Sequence, residues 1–179
     1  MCFSVTASFV AGTALSAVGV VTIKKAKAKK ELSFASIPLL FGVQQFVEGA
    51  VWLSFQYSAQ IFNQIATYAY LGFAYVLWPI FVPLSVGLLE TDSHRKKILY
   101  SFQFVGLAVG SYLFYFIVSN PVASQIVNKS IVYSMPAVSF AITYRFYTVS
   151  YVSVWCFFAA VLSIAVYLYF RERDGTIAV

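Results

Sequence analysis

Charge is what this sequence has least of. Asp, Glu, Lys and Arg together make up 10% of its 179 residues, against 61% hydrophobic and 19% aromatic. That balance excludes a soluble domain of this length, which needs far more polar surface to cover its core. Histidine is scarce too. His94 is the only one, so no zinc pattern can be assembled, and its place in a basic loop reads as a solvated residue. Cysteine occurs twice, as Cys2 and Cys156. Helical rise puts them about 10 Å apart in depth, beyond the Cα separation of about 7 Å that a disulfide allows. Copper(I) held by Cys2, Cys156 and Met1 would suit soft ligands but requires the N-terminus to fold inward, so no metal is expected. No nucleotide-binding loop, catalytic triad or paired carboxylate appears, and no cofactor is indicated.

What is present is hydrocarbon, in runs of about 20 residues, the length of a bilayer-spanning helix. A β-barrel would alternate in hydropathy, and this chain does not; each span must satisfy its own backbone, so the spans are predicted to be helices. The expected fold is an all-α, single-domain membrane bundle with five spans, at residues 3–23, 34–57, 67–89, 98–118 and 146–170. A basic n-region is missing before the first span and lysines follow it, so it is expected to stay attached as an anchor and not to be cleaved. No lipidation motif precedes Cys2.

The basic residues set the orientation. Lys24, Lys25, Lys27, Lys29, Lys30, Arg95, Lys96, Lys97, Arg171 and Arg173 fall on one side of the expected bundle, and only Lys129 and Arg145 on the other. The N-terminus is therefore expected outside and the C-terminus in the cytoplasm. This asymmetry accounts for the net charge of +6, with no call on nucleic acid. The one long external connection, residues 119–145, carries SIVYSMPAVSFAITYR, apolar but too short to span and broken by Pro136. It is expected either to form an interfacial or re-entrant helix or to rest as a loop on lipid headgroups.

Small residues recur at Ser4, Ser8, Gly12 and Ser16 in the first span and at Gly106 and Gly110 in the fourth. They let helix backbones approach closely; they read as packing within the bundle, with a homo-oligomer as the other use of such a motif. Tyr57, Tyr68, Tyr70, Tyr144, Tyr147 and Tyr151 cluster near the outer boundary, and Tyr100, Tyr167 and Tyr169 near the inner one, as interface anchors.

Of six acidic residues, Glu48 alone lies within a span, in FGVQQFVEGAVWL, and no basic residue of that span joins it. A charge at the bilayer centre costs about 3 kcal/mol or more, so such residues face the interior and usually have a task. An unpaired acid there is expected to be largely neutral. Gln44, Gln45, Glu48, Trp52 and Gln56 fall within an arc of about 120° of one helix face. Counted from the cytoplasmic ends, Glu48, Tyr75 and Cys156 stand at roughly 21 Å, with Ser111, Tyr112 and Trp78 within a turn of that height. The third span adds Pro79 and Pro83, each of which removes a backbone donor and leaves carbonyls near Tyr75 and Pro79 without their usual partner. The expected ligand-binding residues are thus Glu48, Gln44, Gln45, Trp52, Tyr75, Trp78, Tyr112 and Cys156.

MCFSVTASF, PLLFGVQQFVEG with its following VW, LWPIFVPL and SVWCFFAA together resemble a bacterial family of small multi-pass membrane proteins of unknown function. These stretches include Cys2, Gln44, Gln45, Glu48, Trp52, Trp78, Pro79, Trp155 and Cys156. The resemblance implies an all-helical bundle of the bacterial inner membrane and brings no activity with it. Members tend to be longer between the fourth span and VWCFF.

Three functions follow as expectations. The first is a mid-membrane pocket in which neutral Glu48 donates a hydrogen bond to a small apolar ligand or lipid, or exchanges a proton. The second is an accessory or structural subunit whose polar stripe faces a partner helix. The third is an intramembrane enzyme using Glu48 and Cys156, which requires the two groups within about 3 to 4 Å of each other.

Overall fold

A computed structural model describes residues 4–127 and 130–134. The expected fifth span, Cys2, Cys156 and the external connection beyond Ser134 lie outside the described residues. The helices are α1 (Val5–Lys25), α2 (Lys29–Ala35), α3 (Ile37–Gln56), α4 (Gln60–Leu71), α5 (Trp78–Leu89) and α6 (Ser93–Ser119), with a π-helical segment, Gly72–Leu77, joining α4 to α5. Strands β1 (Ala123–Val127) and β2 (Ser130–Ser134) follow α6. Four continuous stretches, Val5–Lys25, Lys29–Gln56, Gln60–Leu89 and Ser93–Ser119, are long and apolar enough to cross a membrane.

The helices run past the hydropathic limits because capping, not hydropathy, sets their ends. Asp92 accepts from the backbone N–H groups of His94 and Arg95, both at 2.9 Å, and starts α6 among charged residues five positions before the expected span. These donors hold the Asp92 carboxyl below the usual carboxylate range, the Arg95 N–H most strongly. Glu31, in the first turn of α2, reaches back to accept from the N–H groups of Lys27 and Ala28 that precede it. Gln60, seven residues before the expected third span, starts α4 just after Ser58, whose φ of 52° turns the chain.

Small residues hold the layers together. Gly12 faces the Phe46 ring and the Gly42 carbonyl, Gly42 lies against Ser16, and Gly19 sits on the backbone of Leu39. A Cβ at these positions would meet atoms already there, so α1 and α3 approach as only such residues permit. Gly106 likewise lies on the Pro79 carbonyl, and Gly110 on Ile80 and the Val76 carbonyl. The GxxxG of the fourth span is thus used within the chain, between α6 and the kinked third span.

The end of the bundle that follows α6 corrects one expectation. Ser130–Ser134, the start of the stretch expected as an interfacial helix or headgroup loop, is a strand paired antiparallel with β1, Ala123 opposite Ser134 and Val127 opposite Ser130. The described residues are mostly helical, as expected, with a small two-stranded sheet added. Ile126, Val127, Ile131, Val132 and Tyr133 are β-branched or aromatic and favour the pleated surface. Val122 packs with Leu71 and Ile117 to make an apolar cluster beneath the hairpin, with Tyr70, Tyr75 and Tyr133 against it.

Candidate functional site

Helix α3 turns most of its polar stripe inward, and Gln56 at its end is exposed. Glu48 is 3% exposed, and Gln44 is buried with it. Helical spacing puts Gln44, Gln45, Glu48 and Trp52 on neighbouring turns, and the close α1–α3 contact closes one side of them. Gln45 Nε2 donates to Glu48 Oε2 at 3.2 Å. On the other side, Trp78 Nε1 donates to Gln44 Oε1 at 2.6 Å. The indole is fixed by Phe41, stacked on it with ring centroids 4.0 Å apart. Phe41, Gln44, Gln45 and Glu48 thus lie within two turns and serve one layer.

The π-helical segment aims the third span into that layer. Pro79 has no N–H to give the Tyr75 carbonyl, and the turn before it widens to Gly72–Leu77. Trp78, just past the widened turn, reaches Gln44 on α3, while Tyr70 and Tyr75 also pack against the Leu71, Ile117 and Val122 cluster. Tyr70 interacts with the Gln44 side chain and lies within electrostatic range of Glu48 and Tyr75. Tyr133, from β2, stacks on Tyr70 with centroids 5.2 Å apart and feels Tyr70, Glu48 and Tyr75 in turn. Burial first, and then these neighbours, push the Tyr133 phenol well above its ordinary range, so it stays a hydroxyl.

The site is incompletely satisfied. Gln45 Oε1 and Trp52 Nε1 are sealed from solvent with no hydrogen-bond partner, as are Ser8 Oγ on the facing side of α1 and the Tyr133 hydroxyl. Buried polar groups without partners are rare and costly, about 1–3 kcal/mol each, and ask what completes them.

Of the expected residues, Glu48, Gln44, Gln45, Trp52, Tyr75 and Trp78 come together. Tyr112 does not: it is 54% exposed and stacks on Phe116, one turn along α6. Ser111, at the same height, is exposed as well. Depth alone grouped these residues with Glu48, and depth is silent on which way a helix faces. Cys156 lies outside the described residues. Two participants were missed. Tyr70 was read as an interface anchor, and Tyr133 as part of an external helix or loop; the signal for both lay in the unsplit Pro79 turn and in the β-branched pair of segments. Among the described residues, no three His, Cys, Asp or Glu side chains are grouped to hold a metal.

A second polar network, also missed, stands beside the hairpin, where α3, α4 and β1 meet. Thr67 Oγ1 donates to Ser124 Oγ at 3.0 Å, Ser124 Oγ to Asn63 Oδ1 at 2.7 Å, and Asn63 Nδ2 to Ser54 Oγ at 2.7 Å. Ser54 Oγ ends the chain on the Val51 carbonyl at 2.6 Å. It ties β1 to α3 and α4, and the Tyr68 hydroxyl adds a contact from the Val122 N–H at 3.4 Å.

Neither a curated protein nor a solved structure matches the chain. MCFSVTASF, PLLFGVQQFVEG and LWPIFVPL pointed to a family without assigned activity, and SVWCFFAA lies past the matched region. Residues 1–141 match the family of unknown function DUF6629, and the chain belongs to that family.

Proposed function

We propose that this is a multi-pass protein of the bacterial inner membrane, N-terminus outside and C-terminus in the cytoplasm, whose Glu48 site binds or translocates a small apolar ligand or a proton. The distribution of the basic residues supports the orientation: Lys24 to Lys30 and Arg95 to Lys97 flank the ends of adjacent helices, and α2 packs on α5 between them. One observation carries the site. Glu48 is turned into its own bundle, beside a Gln45 carbonyl oxygen and a Trp52 indole N–H that have no partner. A guest with one hydrogen-bonding head, or a proton relayed to Glu48, would complete that arrangement and offset its desolvation. A stripe serving an external partner helix would instead be exposed, so the burial of Glu48 favours a pocket over an accessory surface.

The test is Glu48→Gln, which keeps shape and removes the titrating group. Wild-type protein in nanodiscs is expected to release a retained small molecule on native mass spectrometry, or to take up protons after an external pH jump followed with trapped pyranine in proteoliposomes. The variant should lose either signal by about tenfold, the size expected when one buried hydrogen bond goes. Unchanged behaviour in both assays removes the proposal.

A further inference from the structure

Among the described residues every Lys and Arg stands at one end of the bundle. Lys24 and Lys25 close α1, Lys27 follows, Lys29 and Lys30 open α2, and Arg95, Lys96 and Lys97 lie at the start of α6. Helix α2 packs on α5, which leads through Glu90–Asp92 into α6, so the two groups share that end. All eight are exposed except Lys96, which is half-buried. The three acids among them are turned onto the backbone. Glu31 accepts from the Lys27 and Ala28 N–H groups, and Asp92 from those of His94 and Arg95. Glu90 is buried and accepts from Thr91 and Asp92. No ion pair joins these acids to the cations among the described residues, so the ammonium and guanidinium groups are open to an outside anion.

The apolar neighbours indicate which anion. Val18 and Val21 lie on the helix face of Lys25, and Ile98 and Phe102 on that of Arg95. These four are 51–61% exposed. Each row is a cation at the foot of an apolar strip, on a helix long enough to cross a membrane. A phospholipid has that shape, phosphate at one end and acyl chains along the other; a soluble polyanion has no use for the strips. We propose that this end of the bundle is a binding surface for anionic phospholipid. The cations of Lys24–Lys30 and Arg95–Lys97 hold the phosphodiester, and the tails lie along Val18 and Val21 and along Ile98 and Phe102. Long Lys stems rest on hydrocarbon while their charge stays at headgroup height. A lysine ammonium is a mobile point charge, so the surface selects by lipid charge and not by headgroup shape. Each cation contributes roughly fivefold in affinity near an anionic leaflet. The surface is independent of what Glu48 does.

Lipid preference is measured on the full-length protein in mild detergent. It is titrated with phosphatidylglycerol or with phosphatidylcholine of identical chains, and bound lipid is counted by native mass spectrometry. Wild type is expected to retain phosphatidylglycerol at about tenfold lower concentration or less. Replacing Lys24, Lys25, Lys27, Lys29 and Lys30 together by Gln should cut that preference to about twofold, and replacing all five by Arg should keep it. Raising ammonium acetate from about 0.1 M to about 1 M should weaken the preference of the wild-type chain in the same way, because exposed charges are screened. Equal retention of the two lipids by wild type overturns the proposal, as does a preference that the Gln variant or high salt leaves intact. The salt series needs no substitution, so it decides even if the variants do not insert. Displacement of bound phosphatidylglycerol by inorganic phosphate or by poly-glutamate would give the surface to a soluble anion and overturn the lipid assignment.

Discussion

Two buried polar networks stand a few turns apart, and their difference is instructive. The outer one runs from Thr67 through Ser124, Asn63 and Ser54 to the Val51 carbonyl, each donor meeting an acceptor at 2.6–3.0 Å. The inner one, around Glu48, has two good bonds, Gln45 to Glu48 and Trp78 to Gln44, and leaves Gln45 Oε1 and Trp52 Nε1 unpartnered. A fully connected network rigidifies what it joins, and here it joins a strand to two helices. A half-satisfied one costs stability at the positions left without a partner.

Breaking the outer network should have the largest effect. Asn63→Leu removes its centre and leaves the Ser124 donor without its acceptor and Ser54 without its donor; a loss of about 3 kcal/mol is expected, read from unfolding in mixed micelles. A value under about 0.5 kcal/mol would make the two networks energetically alike. Next come two indoles on the inner network. Trp78→Phe should cost about 1–3 kcal/mol, because it orphans Gln44 Oε1. Trp52→Phe deletes an N–H that already lacks a partner and should be nearly neutral, within about 0.5 kcal/mol. Equal costs for the two would show that the Trp52 N–H is satisfied after all.

The smallest expected effect lies outside both networks and serves as their reference. The carboxyl of Asp92 is held below its ordinary range in the folded chain by the Arg95 and His94 N–H groups. A lowered folded-state value means that the cap stabilises above the unfolded carboxylate pKa of about 4, and that this contribution fades as pH falls through the folded value. The midpoint of thermal unfolding should therefore decline slightly on acidification below about pH 4, and less so in Asp92→Asn, whose amide oxygen still caps. An identical decline in the variant would place the acid sensitivity elsewhere.

The sequence made the inner network partly legible and the outer one not at all. Glu48 is an outlier in a hydrocarbon run, so its cost drew notice, and one helix's periodicity then brought Gln44, Gln45 and Trp52 with it. Depth grouped Trp78 and Tyr75 with Glu48; of the two, Trp78 meets the stripe directly, through Gln44. Tyr112 shared the depth but not the face. Asn63, Thr67 and Ser124 are ordinary polar residues near span ends, where water is the default partner; nothing in their spacing tells that they meet across 57 to 61 positions.

By itself the sequence determined that the chain is built of long apolar helices, where its basic residues gather, and that one acid sits within a span. Those are properties of single segments, fixed by transfer energies and by the 3.6-residue period. Only the tertiary structure decided which side chains of other helices meet the stripe around that acid, that a hairpin brings Tyr133 onto Tyr70, and which polar atoms stay without a partner. Such facts depend on helix rotation and on contacts between distant residues, and one extra residue in a π-helical turn is enough to change them.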